Sequence, residues 1–411
     1  MERPQLAGHF EQRLRELALP LGVRFWDGSS VMPLTQPRVR LDVRSPRALA
    51  TLLNPTMGRL ARHYVEQDID VEGDAREVLR LTELLSAAPP TGHSSLASRL
   101  RRWTWHSRQF DSRAIRRHYD VNDEFYGLWL DKRRVYSCAY FEHGSDTLDV
   151  AQEQKLDLIC RKLRLEPRER LLDIGCGWGA LVLWAAQHYG VHATGITLSR
   201  NQLEFARNRI REAGLEAKCE VRLMDYRDLP EDVPFDKISS VGMFEHVGRN
   251  NLPLYFGKIF RLLRPGGLVL NHGITINSPD QAELGSDIGE FIDDYVFPGG
   301  ELTHLSRVIA AMSGRGLECR DVESLRPHYA RTLWQWVERL DNNRAAALAT
   351  VGEKLYRVWR IYMAGSAHAF ERGWLSVYQV LAGRPTASGA LHLPATRNDI
   401  YLERPASHIR A

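Results

Sequence analysis

The chain is poor in cysteine, and its cysteines are unpaired in spacing. Cys138, Cys160, Cys176, Cys219 and Cys319 are scattered with no C-x-x-C pair. That excludes a disulfide framework and a cysteine-rich metal site, and it suits a reducing cytoplasm. No apolar run reaches the roughly 18 residues of a membrane span, so any contact with lipid is made from the surface. Met1–Leu21 is charged throughout and lacks the apolar centre of a signal peptide. One sign of charge barely exceeds the other: Lys and Arg number 55, Asp and Glu 51, and the net charge is +4. That gives no domain-wide basic excess, so nucleic acid is not an expected partner. There is no internal repeat and no low-complexity tract. What remains is an ordinary globular composition, 44% hydrophobic and 26% charged, over 411 residues. Such a length favours two units over one.

The most informative stretch is Leu171-Leu172-Asp173-Ile174-Gly175-Cys176-Gly177-Trp178-Gly179-Ala180. A short apolar run carries an acid near its end, three glycines alternate, and an amphipathic segment follows. This spells strand, tight turn and helix, with glycines that let the backbone approach a ligand. An α/β sheet makes a nucleotide pocket in this way at the carboxyl ends of its strands. A dinucleotide site expects an acid after the second strand, Val191–Ile196, but none occurs from Val191 to Leu203. Asp173 and Asp225 instead sit where an adenosine ligand could use them. The pattern favours S-adenosylmethionine (SAM) over NAD.

Residues 1–88 read as a small α+β unit, with strands at Val23–Gly28 and Val39–Val43 and helices from Pro46 and Val78. Residues 89–117 read as a linker followed by a basic, aromatic helix. There Arg99, Arg101, Arg102, Arg108, Arg113, Arg116 and Arg117 interleave with Leu100, Trp103, Trp105 and Phe110. Such a helix either caps the next domain or lies in a membrane interface, arginines to anionic headgroups and tryptophans to the acyl boundary. From 118 to 385 strands and helices alternate as a doubly wound, mostly parallel α/β sheet. Strands are expected at 171–173, 191–196, 219–223, 235–241, 268–271, 317–322 and 374–381. Ser199 is the expected N-cap of the helix to Ala213. Asp280–Gly300 reads as an irregular insertion forming a lid or active-site wall. Ala330–Phe370 reads as long helix, and 386–411 as a loose tail.

Further short stretches narrow the chemistry. They are His118-Tyr119-Asp120-Val121-Asn122, Val135-Tyr136-Ser137-Cys138-Ala139-Tyr140-Phe141, Asp225-Tyr226-Arg227-Asp228-Leu229, Ser240-Val241-Gly242-Met243-Phe244-Glu245-His246-Val247-Gly248, Asn271-His272-Gly273-Ile274 and Pro327-His328-Tyr329. In this order, with the glycine loop, they closely resemble the cyclopropane-fatty-acyl-phospholipid synthase family over about 109–385. Tyr64–Gly73 resembles that family's accessory domain.

The resemblance implies a seven-stranded class I methyltransferase sheet and a SAM-dependent enzyme. It implies methyl transfer to the cis double bond of an unsaturated phospholipid at the inner face of the membrane. The cation then loses a proton to bound bicarbonate and closes to a cyclopropane. The catalytic residues carried over are Cys138, Glu245, His272 and Tyr329. Those for SAM are Tyr136, Ser137, Gly175, Gly177, Thr197, Leu198, Gln202, Asp225 and Tyr226; Asp173 and Gly179 of the glycine loop join them. A cytoplasmic, peripherally bound enzyme follows, with dimerisation through the N-terminal unit as an option.

Each residue also has a plainer role open to it. Cys138 could be a buried small hydrophobe, Glu245 a turn cap, His272 a core histidine, Tyr329 packing and Gln202 an exposed helix residue. Two positions depart from the family: Gly273 stands where it has Thr, opening space by the anion, and Ser366 where many members have Cys. Other outcomes are a methyl- or methylene-branched chain, methylation of a small amine, or a non-catalytic lipid binder. The N-terminal unit argues against the amine, and the complete glycine loop against the binder.

Overall fold

The structure is a computed structural model. It describes residues 19–32, 36–86, 91–92, 123–278, 283–284, 286–296 and 301–401, with single positions 8, 12, 14 and 16. The basic aromatic stretch 99–117, the motif His118–Asn122 and the chain beyond Tyr401 lie outside the described residues. Among the described residues no helix is long and apolar enough to cross a membrane. Among them, too, no cluster of His, Cys, Asp or Glu could hold a metal ion.

Contacts group the chain into two compact units. The first is Met1–Trp103 with Ala282–Pro298 and Val337–Ala369; the second is Thr104–Gln281 with Gly299–Trp336 and Phe370–Ala411. This grouping is not the linear one that composition suggests.

The second unit is built on strands β1 Arg170–Ile174, β2 His192–Thr197, β3 Cys219–Leu223, β4 Phe235–Val241, β5 Leu263–Ile276, β6 Glu318–Ser324 and β7 Leu375–Gly383. Their order across the sheet is 3-2-1-4-5-7-6. β1 to β5 pair in parallel, and β7 runs antiparallel to both β5 and β6. A two-residue strand, Thr303–His304, pairs with the end of β5 and makes an eighth member.

Both faces are covered, as a parallel sheet requires. Helices α1 Leu148–Leu163, α2 Ala180–Tyr189 and α3 Arg200–Glu212 bury Ile159, Leu183 and Ala206 against one face, with Leu268 and Leu270 of β5. Helices α4 Leu252–Leu262 and α5 Leu305–Ser313 bury Phe256, Ile259 and Met312 against the other, with Val269. The run Leu268-Val269-Leu270 thus serves both cores by alternation. Each fully buried aliphatic side chain contributes about 1.5–3 kcal/mol. Ser199 caps α3 as expected, its hydroxyl accepting from the Gln202 amide.

Three expectations are corrected. β5 begins at Leu263, not Leu268. Pro265-Gly266-Gly267 is a bulge within it, because the pairing with β4 shifts register between Leu263 and Leu268. The segment 386–401 is held rather than loose: Ile400 is buried, and Arg164 pairs with Asp399 at 2.8 Å.

The third correction concerns Asp280–Gly300, which contains a helix, Ser286–Tyr295, and of which Ala282–Pro298 belongs to the first unit. Its acids and glycines mask an apolar stripe. Phe291 and Val296 pack with Val65 and Val358, and Asp294 pairs with Arg62 at 2.7 Å.

The rest of the first unit is a four-stranded sheet in the order Ser30–Val31, Leu21–Phe25, Val39–Val43, Ile69–Glu72. Alternation buries Val23, Phe25, Val39, Leu41 and Val43 against Leu81 and Leu85 of the helix Ala75–Leu85. The helix Arg344–Glu371 is broken at Gly352.

Candidate active site

The carboxyl ends of β1, β2, β3 and β4 open onto one pocket. Tyr136, Ser137, Asp173, Gly175, Gly177, Thr197, Leu198, Gln202, Asp225 and Tyr226 all line it. The glycine loop explains the shape. Gly175, Gly177 and Gly179 have φ of 80°, 53° and 84°, which side-chain-bearing residues adopt reluctantly. A Cβ on Gly177 would meet nothing within 4 Å, so its missing side chain is pocket space. Gly179 is different and does not line the pocket. A Cβ there would lie 2.9 Å from the Cβ of Ala206, so this glycine packs α2 on α3. Its assignment to the cofactor is corrected.

The other pocket residues are fixed by local bonds. Thr197 Oγ1 donates to Gln202 Oε1 at 2.7 Å, and Gln202 is buried, not exposed. Asp173 accepts from Ser239 Oγ at 2.7 Å, and burial pushes its carboxyl up to about 6. Asp225 is held by Arg227, Nη2 to Oδ2 at 2.6 Å. Tyr136 sits in an aromatic cluster, 5.5 Å from Trp129 and 5.3 Å from Trp336 between ring centroids.

Cys138, Glu245, His272 and Tyr329 do not line this pocket. They attach to neighbouring strands at one level of the sheet, through separate contacts. The Ile274 amide on β5 donates to Glu245 Oε1 at 2.7 Å. Ile274 pairs with Val377 of β7, whose carbonyl accepts from the Leu325 amide at 2.9 Å. The Leu325 carbonyl in turn accepts from the Tyr329 amide at 3.0 Å and from Cys138 Sγ at 3.7 Å. The Tyr329 ring packs edge-on to Trp336 at 6.1 Å, and Trp336 also touches Tyr136. Cys138 is wholly buried, and burial drives its thiol far up, so it is no thiolate nucleophile.

Glu245 is buried, and its Oε2 has no hydrogen-bond partner among the described residues. Burial lifts its carboxyl to about 7 from an ordinary 4.5. Between those values the folded chain keeps a proton that the unfolded chain releases, so this group makes stability fall as pH rises through the window. Glu245→Gln is expected to flatten that part of the melting-temperature profile from about pH 5 to 7. Parallel profiles for the two proteins would contradict it.

His272 has its protonation pattern set by a relay. Lys162 Nζ donates to Gln379 Oε1 at 2.7 Å. The Gln379 amide nitrogen therefore faces His272 Nδ1, at 3.2 Å, and Nδ1 must accept. Burial and the Lys155 and Lys162 charges hold the ring neutral. Its single proton is then on Nε2, which is a donor.

The mycolic acid cyclopropane synthetase family model matches residues 106–380. The chain belongs to this family. A probable fatty acid methyltransferase of Pseudomonas putida is 48% identical over 388 residues, covering 94% of this chain and 98% of its own. One from Mycobacterium tuberculosis is 39% identical over 406 residues, covering 91% and 93%. The solved cyclopropane synthase from Mycobacterium tuberculosis superposes with a TM-score of 0.64 at 35% identity, over 66% of this chain and 98% of that one. A mycolic acid cyclopropane synthase solved with S-adenosylhomocysteine gives 0.63 at 36% identity, over 66% and 98%. The protein is an enzyme of the SAM-dependent methyltransferase class.

The cyclopropane synthetase relationship sharpens one departure. Gly273 does not open space. A Cβ there would lie 1.9 Å from the Phe244 ring and 3.1 Å from Glu245 Oε1. The Phe244 ring fills the space that a side chain at 273 would take. Gly273→Thr is expected to lower stability by about 1–3 kcal/mol through overpacking, and to cost less than that when it is added to Phe244→Ala in a double-mutant cycle by denaturant unfolding. A fully stable single variant would contradict this seating of the ring.

Sequence reasoning missed Lys155, Arg134, Met243 and His246 as pocket residues. His246 was signalled by its motif; Lys155 looks like any charge on a helix.

Proposed function

We propose that this enzyme transfers a methylene unit from SAM to the cis double bond of unsaturated phospholipid acyl chains, giving cyclopropane fatty acyl groups. The observation that carries the reading is Glu245: a buried carboxyl, fixed through Oε1, whose Oε2 is left without a partner among the described residues. A polar atom in that state is costly unless a ligand supplies a bond.

The donor set of the pocket fits SAM: an open glycine cradle, Asp225 and Tyr226 on the adenine side, Tyr136 and Ser137 on the amino-acid side. SAM supplies an electrophilic methyl group, and bicarbonate supplies a base that alkylation does not consume. Glu245 Oε2 would hold the anion's hydroxyl. His272 Nε2–H and the Tyr329 hydroxyl would donate to it, with Cys138 as a neutral thiol nearby. The rings of Tyr136, Phe141 and Phe244 favour positive charge on the acyl chain without competing as nucleophiles. Closure of the site against water keeps a weak alkene nucleophile competitive.

Further parts of this reading are the residues 99–117 as a basic, tryptophan-bearing contact to anionic membrane, a cytoplasmic peripheral location, and dimerisation through the N-terminal unit. A second reading, a methyl- or methylene-branched chain that keeps a double bond because the same cation loses a proton without closing a ring, is favoured by relatives named fatty acid methyltransferases.

The test is NMR and mass spectrometry of lipids from cells expressing the chain. Upfield cyclopropane methylene protons support the first reading. A mass gain with methyl doublets alone supports the second, and unaltered lipids overturn both.

A further inference from the structure

Lys155 projects from α1 into the protein interior with 2% of its surface exposed, yet it lines the pocket. Its Nζ donates to Ser137 Oγ at 3.0 Å, and no carboxylate is bonded to it among the described residues. Asp131 and Asp173 act on it only through space, and both are occupied elsewhere. Asp131 accepts from the Arg133 and Val135 amides, each at 2.8 Å, and Asp173 accepts from Ser239. The other cations at the pocket have acids or rings of their own. Arg227 pairs with Asp225, and Arg134 lies 3.8 Å from Asp123 and over the Phe205 ring. A buried ammonium with one hydroxyl partner and spare donors is the arrangement that awaits an anion.

SAM has one anionic group, its α-carboxylate, alongside a sulfonium and an ammonium. We infer that Lys155, with Ser137, is the receptor for that carboxylate. The inference rests on reading this pocket as the SAM site. Burial lowers the Lys155 ammonium to about 8, and a bound carboxylate would raise it again. A second anion competes for the role, because Cys138 and His272 also feel the Lys155 charge. Bicarbonate held by those two would be the alternative source. The pocket favours the SAM carboxylate, since Lys155 and Ser137 line it while Cys138 and His272 do not.

A thermodynamic cycle separates these cases. Calorimetry would compare the full-length protein with Lys155→Met, each titrated with SAM, decarboxylated SAM and methylthioadenosine. A charge-assisted contact contributes about tenfold to a hundredfold in affinity. The variant should lose that factor for SAM, and stay within about twofold of the parent for the two ligands lacking a carboxylate. Lys155→Arg should recover part of the loss.

An equal loss for all three ligands means that Lys155 only shapes the pocket and overturns the inference. So does unchanged SAM affinity with activity restored by added bicarbonate. Should Lys155→Met fail to fold, Lys155→Gln carries the same comparison. Failure of the underlying reading looks different: the unaltered protein then binds neither SAM nor methylthioadenosine.

Discussion

Glu245→Gln is expected to lower turnover by about a hundredfold or more while leaving SAM affinity within about twofold. The amide keeps the volume and can still accept from the Ile274 amide. It loses the oxygen that has no partner among the described residues. A group outside the SAM pocket should not disturb SAM, whereas a group that orients the base acts only when a proton must leave. The split between kcat and SAM affinity is therefore the diagnostic quantity. A variant that turns over normally would remove Glu245 from the chemistry. One that loses SAM binding in parallel would make it a structural support of the His246 and Val247 side of the pocket.

Gly177→Val is expected to leave no measurable SAM binding at about a hundred times the parent's Kd. A Cβ at 177 faces open pocket, so a branched side chain there occupies the ligand's own volume. The left-handed backbone at 53° adds strain for a β-branched residue, so circular dichroism and melting must accompany the titration. Gly179→Ala is the contrasting control. Its methyl would press on Ala206 at 2.9 Å, and the expected loss is stability, by about 1–3 kcal/mol. SAM affinity should persist. Normal affinity in Gly177→Val would displace the ligand from this loop.

The pocket was legible because its signals are local. An apolar run, an acid and alternating glycines lie within ten residues, and Ser199 announces α3 by capping it. The parts that were not legible depend on distant partners. Lys155 lies in Gln154-Lys155-Leu156-Asp157, which reads as a solvated face. Burial of α1 over the sheet decides otherwise, and that packing is not local. The His272 tautomer depends on Gln379, 107 residues away. Gly273 looked like vacant space because its neighbour Phe244 comes from a different strand end. The insertion 280–300 was misread because acids and glycines outnumber its apolar stripe, and the partners of that stripe, Val65 and Val358 among them, are distant in sequence.

β7 is the last strand in sequence, yet it is interior to the sheet, between β5 and β6. A ribosome therefore delivers β5 with one long edge bare, and an unpaired edge invites intermolecular pairing. The gap closes only when Leu375–Gly383 has cleared the exit tunnel, and Gln379 arrives with it. Synthesis thus imposes a sequence in time: the glycine loop can form early, while the surroundings of His272 are completed last. Removing residues from 375 onward should accordingly yield an aggregating chain rather than a slower enzyme.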